Sequence, residues 1–217
     1  MPEPSNDLPV HKLCVLNSGE VEKCLLELND TQHRAIFSLI VEMGLTPSEI
    51  LGDESLGIKG MYIQDLDTRN MTIKVQYRFK KDDRITTRLA PMTAPVLVAM
   101  RDYVASKNQT FNDFGKLFDL SDRMVRHFLS NLEEKTGIKK PIDTTTLRRT
   151  AIVKMLRGGL KPDEIKKRLG FVRPQEESIL IVSSYFLPDL GDYERVFKDF
   201  LFDNMDTMAS GVRASKN

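Results

Sequence analysis

Apolar residues recur at helical spacing after Asn29-Asp30-Thr31, where Ala35, Ile36, Leu39, Ile40 and Met43 fall on one face. A run of Asn, Asp and Thr offers an N-cap, and Gly44 stops the repeat, so a helix is predicted between them. Thr46-Pro47 opens a second, shorter helix. Before these, Glu20 to Leu28 has the composition of a short helix, and the polar, proline-bearing start up to Ser18 reads as a tail or loose arm. From residue 61 to 90 the period changes. Met61-Tyr62-Ile63-Gln64, Met71 to Phe79 and Arg84 to Ala90 alternate in strand fashion around turns at Asp67-Thr68-Arg69-Asn70 and Lys80-Lys81-Asp82-Asp83. Helical spacing then returns with Leu97, Met100 and Val104. It continues behind a Ser121 cap with Met124, Val125, Phe128, Leu129 and Leu132 on an apolar stripe, opposite Arg123, Arg126 and His127.

Thr144, Thr145 and Thr146 precede a further helical run that ends at Gly158-Gly159. A threonine hydroxyl can accept a bond from a first-turn amide, and Arg148 and Arg149 sit where a helix start also favours phosphate. Lys161-Pro162-Asp163-Glu164 opens the next helix, with proline and acids suited to a first turn. Farther on, Tyr193, Val196, Phe197, Phe200 and Leu201 form an amphipathic stripe in an acidic setting.

Charge is segregated along these elements. Residues 139–173 hold eleven Lys/Arg and three Asp/Glu, net +8, and residues 69–88 hold seven and two, net +5. Residues 1–57 are at −7 and residues 174–206 at −6, so the overall +1 conceals basic blocks between acidic ones. That pattern favours one face for a polyanion and others for solvent or partners. The 217 residues suit one domain with tails, and 41% hydrophobic content suffices for a core. Cys14 and Cys24 lack metal-ligand spacing and point to a reduced intracellular setting. No signal peptide is visible, and no apolar run reaches the roughly 18 residues that span a bilayer.

Thr145-Thr146-Leu147-Arg148-Arg149-Thr150-Ala151, then Gly159, then Ile165 to Leu169 with Gly170-Phe171, resembles the C-terminal catalytic block of tyrosine recombinases of the phage-integrase type. That block runs His-x-Leu-Arg-His-Thr, a helix, a glycine and Leu-Gly-His. Arg148 matches its second catalytic arginine. Thr145 stands at a histidine position, and Phe171 at the Leu-Gly-His histidine. Gly44-Leu45-Thr46-Pro47-Ser48-Glu49 resembles the family's Gly-Leu-Arg-x-Ser-Glu, which puts Thr46 where the first catalytic arginine belongs. Lys80 or Lys81 matches the family's hairpin lysine, or is simply the charged tip of a turn. Tyr185 is the nearest candidate for the nucleophilic tyrosine, five residues beyond the expected place at Leu180; packing in a buried run is its other reading. The resemblance covers about residues 30–186, and the 28 residues before leave no room for the family's N-terminal clamp domain.

The resemblance implies a mostly helical α+β fold, a recombinase-like catalytic domain with a small antiparallel sheet. Residues 1–28 are expected as an N-terminal tail or short arm, 29–190 as the recombinase-like DNA-binding domain, and 191–217 as an amphipathic helix and tail. The function expected is DNA binding in an architectural or regulatory role, without strand cleavage or cofactor, in the cytoplasm, nucleoid or nucleus. Double-stranded DNA would be held by Lys80, Lys81, Arg123, Arg126, Arg148, Arg149, Lys154, Lys166, Lys167 and Arg168. Two alternatives stand beside it. One is a divergent active recombinase using Tyr185 with Arg148 and a lysine. The other is a protein-interaction module, or a homo-oligomer, joined through the C-terminal helix; that helix packs on its own core in a further reading.

Overall fold

The computed structural model describes residues 14–79, 84–111, 113–170, 176, 179 and 180. The chain divides into two units, and the one spanning Val15–Leu187 holds all the elements below. Among the described residues these are helices α1 (Ser18–Glu27), α2 (Thr31–Met43), α3 (Pro47–Leu51), α4 (Ala94–Ser106), α5 (Asp122–Thr136), α6 (Thr144–Arg157) and α7 (Pro162–Leu169), and strands β1 (Leu66–Asp67), β2 (Thr72–Phe79) and β3 (Arg84–Pro91).

The helix at the centre is α2. Its sequence pattern predicts one buried face, yet Phe37, Ser38 and Val41 are buried along with the expected set. The reason is that α2 packs against both α4 and α6, so its charged residues are confined to its ends. Asp30 caps it by accepting from the His33 amide at 2.8 Å. Gly44 closes it in the left-handed conformation, with φ at 67°, which glycine adopts without steric cost. A Cβ there would also lie 2.6 Å from Leu169 Cδ2. Gly44 is thus fixed by both its dihedral angle and the approach of α7.

The strands form an antiparallel sheet in the order β1-β2-β3. β2 and β3 pair from Thr72↔Pro91 to Phe79↔Arg84, so Ile73 meets Ala90 and Val75 meets Arg88. Ile73, Val75 and Ala90 are buried while Ile85 and Leu89 are exposed, the alternation expected of a sheet with one covered face. The expected strand at Met61 to Gln64 is absent. Ile63–Asp65 is a 3₁₀ turn, set up as the Asp65 carboxylate accepts from the Tyr62 amide at 2.9 Å, and β1 follows with two residues only.

Residues 15–28, read from sequence as tail or arm, pack into the domain. Val15, Leu16, Val21, Cys24 and Leu28 are buried. The Leu16 amide donates to Thr150 Oγ1 on α6 at 2.9 Å, and Lys140 Nζ donates to the Val15 carbonyl and to Glu20 Oε2, both at 3.0 Å. Met124, predicted on the buried stripe of α5, is 51% exposed. The core covers Val125, Phe128, Leu129 and Leu132 and leaves Met124 on the edge of the stripe.

Candidate nucleic-acid interface

Thr46 begins the site. Its hydroxyl accepts from the Glu49 amide at 3.3 Å and donates to Glu49 Oε2 at 3.0 Å, while its own amide donates to the same oxygen at 2.7 Å. This is a reciprocal capping box, and it fixes both the start of α3 and the Glu49 carboxylate. At five residues α3 has no independent stability; it is held by the burial of Ile50 and Leu51 in the core and by what Glu49 touches.

Glu49 is 4% exposed and faces two guanidinium groups. Arg88 Nη1, on β3, lies 2.9 Å from Glu49 Oε1. That approach is an ion pair outside hydrogen-bond alignment, and Arg88 Nη2 is also buried without a hydrogen-bond partner among the described residues. The group is nonetheless well fixed. Its Nε donates to the Arg168 carbonyl at 2.7 Å, and it lies over the Tyr77 ring, 5.2 Å from the centroid. Burial pushes the Arg88 guanidinium below its ordinary range, Glu49 opposes that shift, and neighbouring Arg148 adds to it.

Arg148, on the first turns of α6, is 2% exposed. Nε donates to Glu176 Oε1 at 2.9 Å, Nη1 donates to the Gly44 carbonyl, and Nη1 lies 4.0 Å from Glu49 Oε2. The α6 cap comes from Asp143 instead of a threonine: its carboxylate accepts from the Thr146 amide at 2.7 Å, which places all three threonines inside the helix. A carboxylate on this start is also the charge that its dipole favours.

Thr46 and Arg148 line one open cleft of about 690 Å³, together with Glu49, Tyr77, Arg78 and Arg126. Thr145 does not line it, but borders a neighbouring groove with Arg126. Arg123 and Arg126 are exposed on α5, and Arg126 pairs with Asp122 one turn back. Lys167 is exposed on α7, Lys166 and Arg168 are half-buried, and Arg149 is half-buried with Nε lacking a hydrogen-bond partner among the described residues. Lys154 points the other way, to an ion pair with Glu42 of α2. Lys80, Lys81, Phe171 and Tyr185, and the stripe from Tyr193 to Leu201, lie outside the described residues. Sequence reasoning missed the parts played by Glu49, Arg88 and Glu176. For Glu49 a signal was present in Thr46-x-x-Glu49, the capping-box spacing; nothing local marks the other two.

Among the described residues no helix is long and apolar enough to cross a membrane, and no group of His, Cys, Asp and Glu is arranged to hold a metal ion.

A helical domain with a small antiparallel sheet on one side, and a buried arginine on the first turns of α6, is the catalytic-domain fold of tyrosine recombinases. The phage integrase family matches residues 15–180, and the chain belongs to that family. Solved structures with the same fold include XerA recombinase, 20% identical at a TM-score of 0.61, covering 94% of this chain and 66% of that one. The Tn1549 transposon integrase in complex with circular intermediate DNA is 16% identical at 0.53, covering 84% and 64%. XerH site-specific recombinase bound to its palindromic difH substrate in a post-cleavage complex is 16% identical at 0.54, covering 92% and 53%. The chain spans between about half and two thirds of the length of these structures. No curated protein matches it.

Proposed function

We propose that this protein binds duplex DNA through the cleft face, with Arg148 meeting a backbone phosphate, and that it does not cleave the strand. The single observation that carries the second half is the state of Thr46. Recombinase chemistry needs a guanidinium at this place, to meet charge that builds on the scissile phosphate in the transition state. Thr46 offers a hydroxyl already committed in both directions to Glu49. Removing one such donor typically costs about 10²–10³ in rate, and no side chain at Thr46 or Thr145 brings a charge to replace it.

Binding draws support from the +8 block between residues 139 and 173, from Arg126 lining the cleft and from exposed Arg123 and Lys167, and from DNA-bound relatives of the same fold. Phosphate contacts of this kind give affinity without base readout. An architectural or regulatory role on DNA follows, in whichever compartment holds the DNA. Lys154 is left out of the contact set, because Glu42 already neutralises it.

Fluorescence anisotropy on a labelled duplex tests the binding. Affinity is expected to fall about 10³-fold or more between about 50 and 200 mM salt, and no binding at low salt would reject the reading. A nicked suicide substrate tests the chemistry. No covalent complex is expected; one that disappears in Tyr185→Phe would establish an active recombinase instead.

A further inference from the structure

Arg148 and Glu176 are the most deeply buried ion pair of the domain among the described residues, at 2% and 1% exposure. The pair has an unusual place in the charge pattern. Arg148 belongs to the basic block that ends at Arg173, and Glu176 opens the acidic block of residues 174–206, at −6. The carboxylate therefore comes from a stretch that a DNA backbone repels, and it sits on a cation that a DNA backbone seeks.

A guanidinium presents its N–H groups as a planar fork, to which carboxylates and phosphates dock in the same way. Arg148 gives Nη1 to the Gly44 carbonyl and Nε to Glu176 Oε1 at 2.9 Å. The Nε edge thus already holds an oxyanion supplied by the chain. A second carboxylate, Glu49, also lies near Arg148. Glu49 is fixed by the Thr46 capping box and by Arg88, and it lies 4.0 Å from Arg148 Nη1. Withdrawal of Glu176 would not leave Arg148 without a counter-charge.

We propose that Glu176 is a resident competitor for the phosphate seat of Arg148, so that a DNA phosphate engages this arginine only as the Glu176 carboxylate withdraws. The inference rests on Arg148 being a DNA-phosphate ligand. It makes the free protein a self-occluded form and gives it a built-in threshold for DNA, set by one side chain.

The test compares duplex binding by wild type, Glu176→Gln, Arg148→Met and the double variant across a salt series. Glutamine keeps the size of the side chain and an acceptor for Nε while removing the charge. Glu176→Gln is expected to bind roughly tenfold tighter, with a salt slope steeper by about one phosphate contact. In the Arg148→Met background the same change is expected to do nothing. Equal or weaker binding by folded Glu176→Gln, while wild type still binds with a steep salt dependence, overturns the inference and leaves the DNA reading intact. No binding by any form overturns both. If Glu176→Gln does not fold, hydrogen exchange of wild type decides. Peptides over residues 176–180 should exchange faster with duplex bound, and unchanged or slower exchange rejects the proposal.

Discussion

Arg88 on β3 and Glu49 on α3 meet as a buried ion pair, Nη1 to Oε1 at 2.9 Å, with side chains 8% and 4% exposed. The pair ties a five-residue helix to the sheet. Through Arg88 Nε it also ties the sheet to the end of α7. Breaking one partner of such a pair leaves the other charged in a poor solvent, so Arg88→Met is expected to cost about 3–5 kcal/mol. The double variant Arg88→Met with Glu49→Gln should cost less than the sum of its parts. Urea unfolding measures both; a loss below about 1 kcal/mol for Arg88→Met would mean that α3 is held by apolar packing.

Gly44 is a second point of tension. Alanine there must adopt a positive φ and push against Leu169 Cδ2, 2.6 Å from the added Cβ. Gly44→Ala is expected to destabilise by about 1–3 kcal/mol and to weaken DNA binding, because the Gly44 carbonyl orients Arg148. Thermal unfolding and anisotropy together check this. A variant of normal stability and normal binding would show that α7 and Arg148 yield freely.

The α6 cap gives a cleaner measurement. Asp143→Ala removes the acceptor for the Thr146 amide and should cost about 1 kcal/mol. Thr144→Ala, inside the helix, should cost less. Reversal of that order in chemical denaturation would return the cap to a threonine.

Cys24 reports on the core by its chemistry. It is fully buried, and burial, then the Glu20 carboxylate, push its thiol up to about 11 from an ordinary 9.0. Thiolate is the reactive form, so in a Cys14→Ser background a disulfide reagent should attack folded protein at about a hundredth of the unfolded rate near pH 8. Because the folded value lies above the unfolded one, Cys24 leaves stability untouched below pH 9 and lowers it as pH rises from 9 toward about 11. Attack at the unfolded rate would place the thiol at the surface.

Where the sequence was legible, the signal was local. The caps of α2, α3 and α5 and the alternation of β2 and β3 are written in neighbouring residues, and the family frame around Arg148 is written in order and spacing. What escaped depended on contacts distant along the chain. Val15 and Leu16 look like tail residues until Thr150 takes the Leu16 amide. Met61 to Gln64 has strand composition, but the Asp65 carboxylate folds it into a tight turn. Lys154 counts as a basic residue in any charge sum, and only its position against α2 reveals that Glu42 has claimed it. For the site, Arg148 could be named in advance, whereas its two carboxylate neighbours lie 99 positions before and 28 after it and share no motif with it.

The cleft has a polarity that rests on a narrow balance. Among its lining residues Glu49, Asp53 and Asp122 stand against Arg78, Arg126 and Arg148, and the carbonyl end of α2 turns its negative pole toward the same place. Arg148 is the counterweight to that pole. Replaced by a neutral side chain, Arg148 would leave three carboxylates facing two guanidinium groups, and the hollow would repel a nucleic-acid strand instead of merely losing one contact to it. In this domain a single guanidinium separates a balanced cleft from an acidic one.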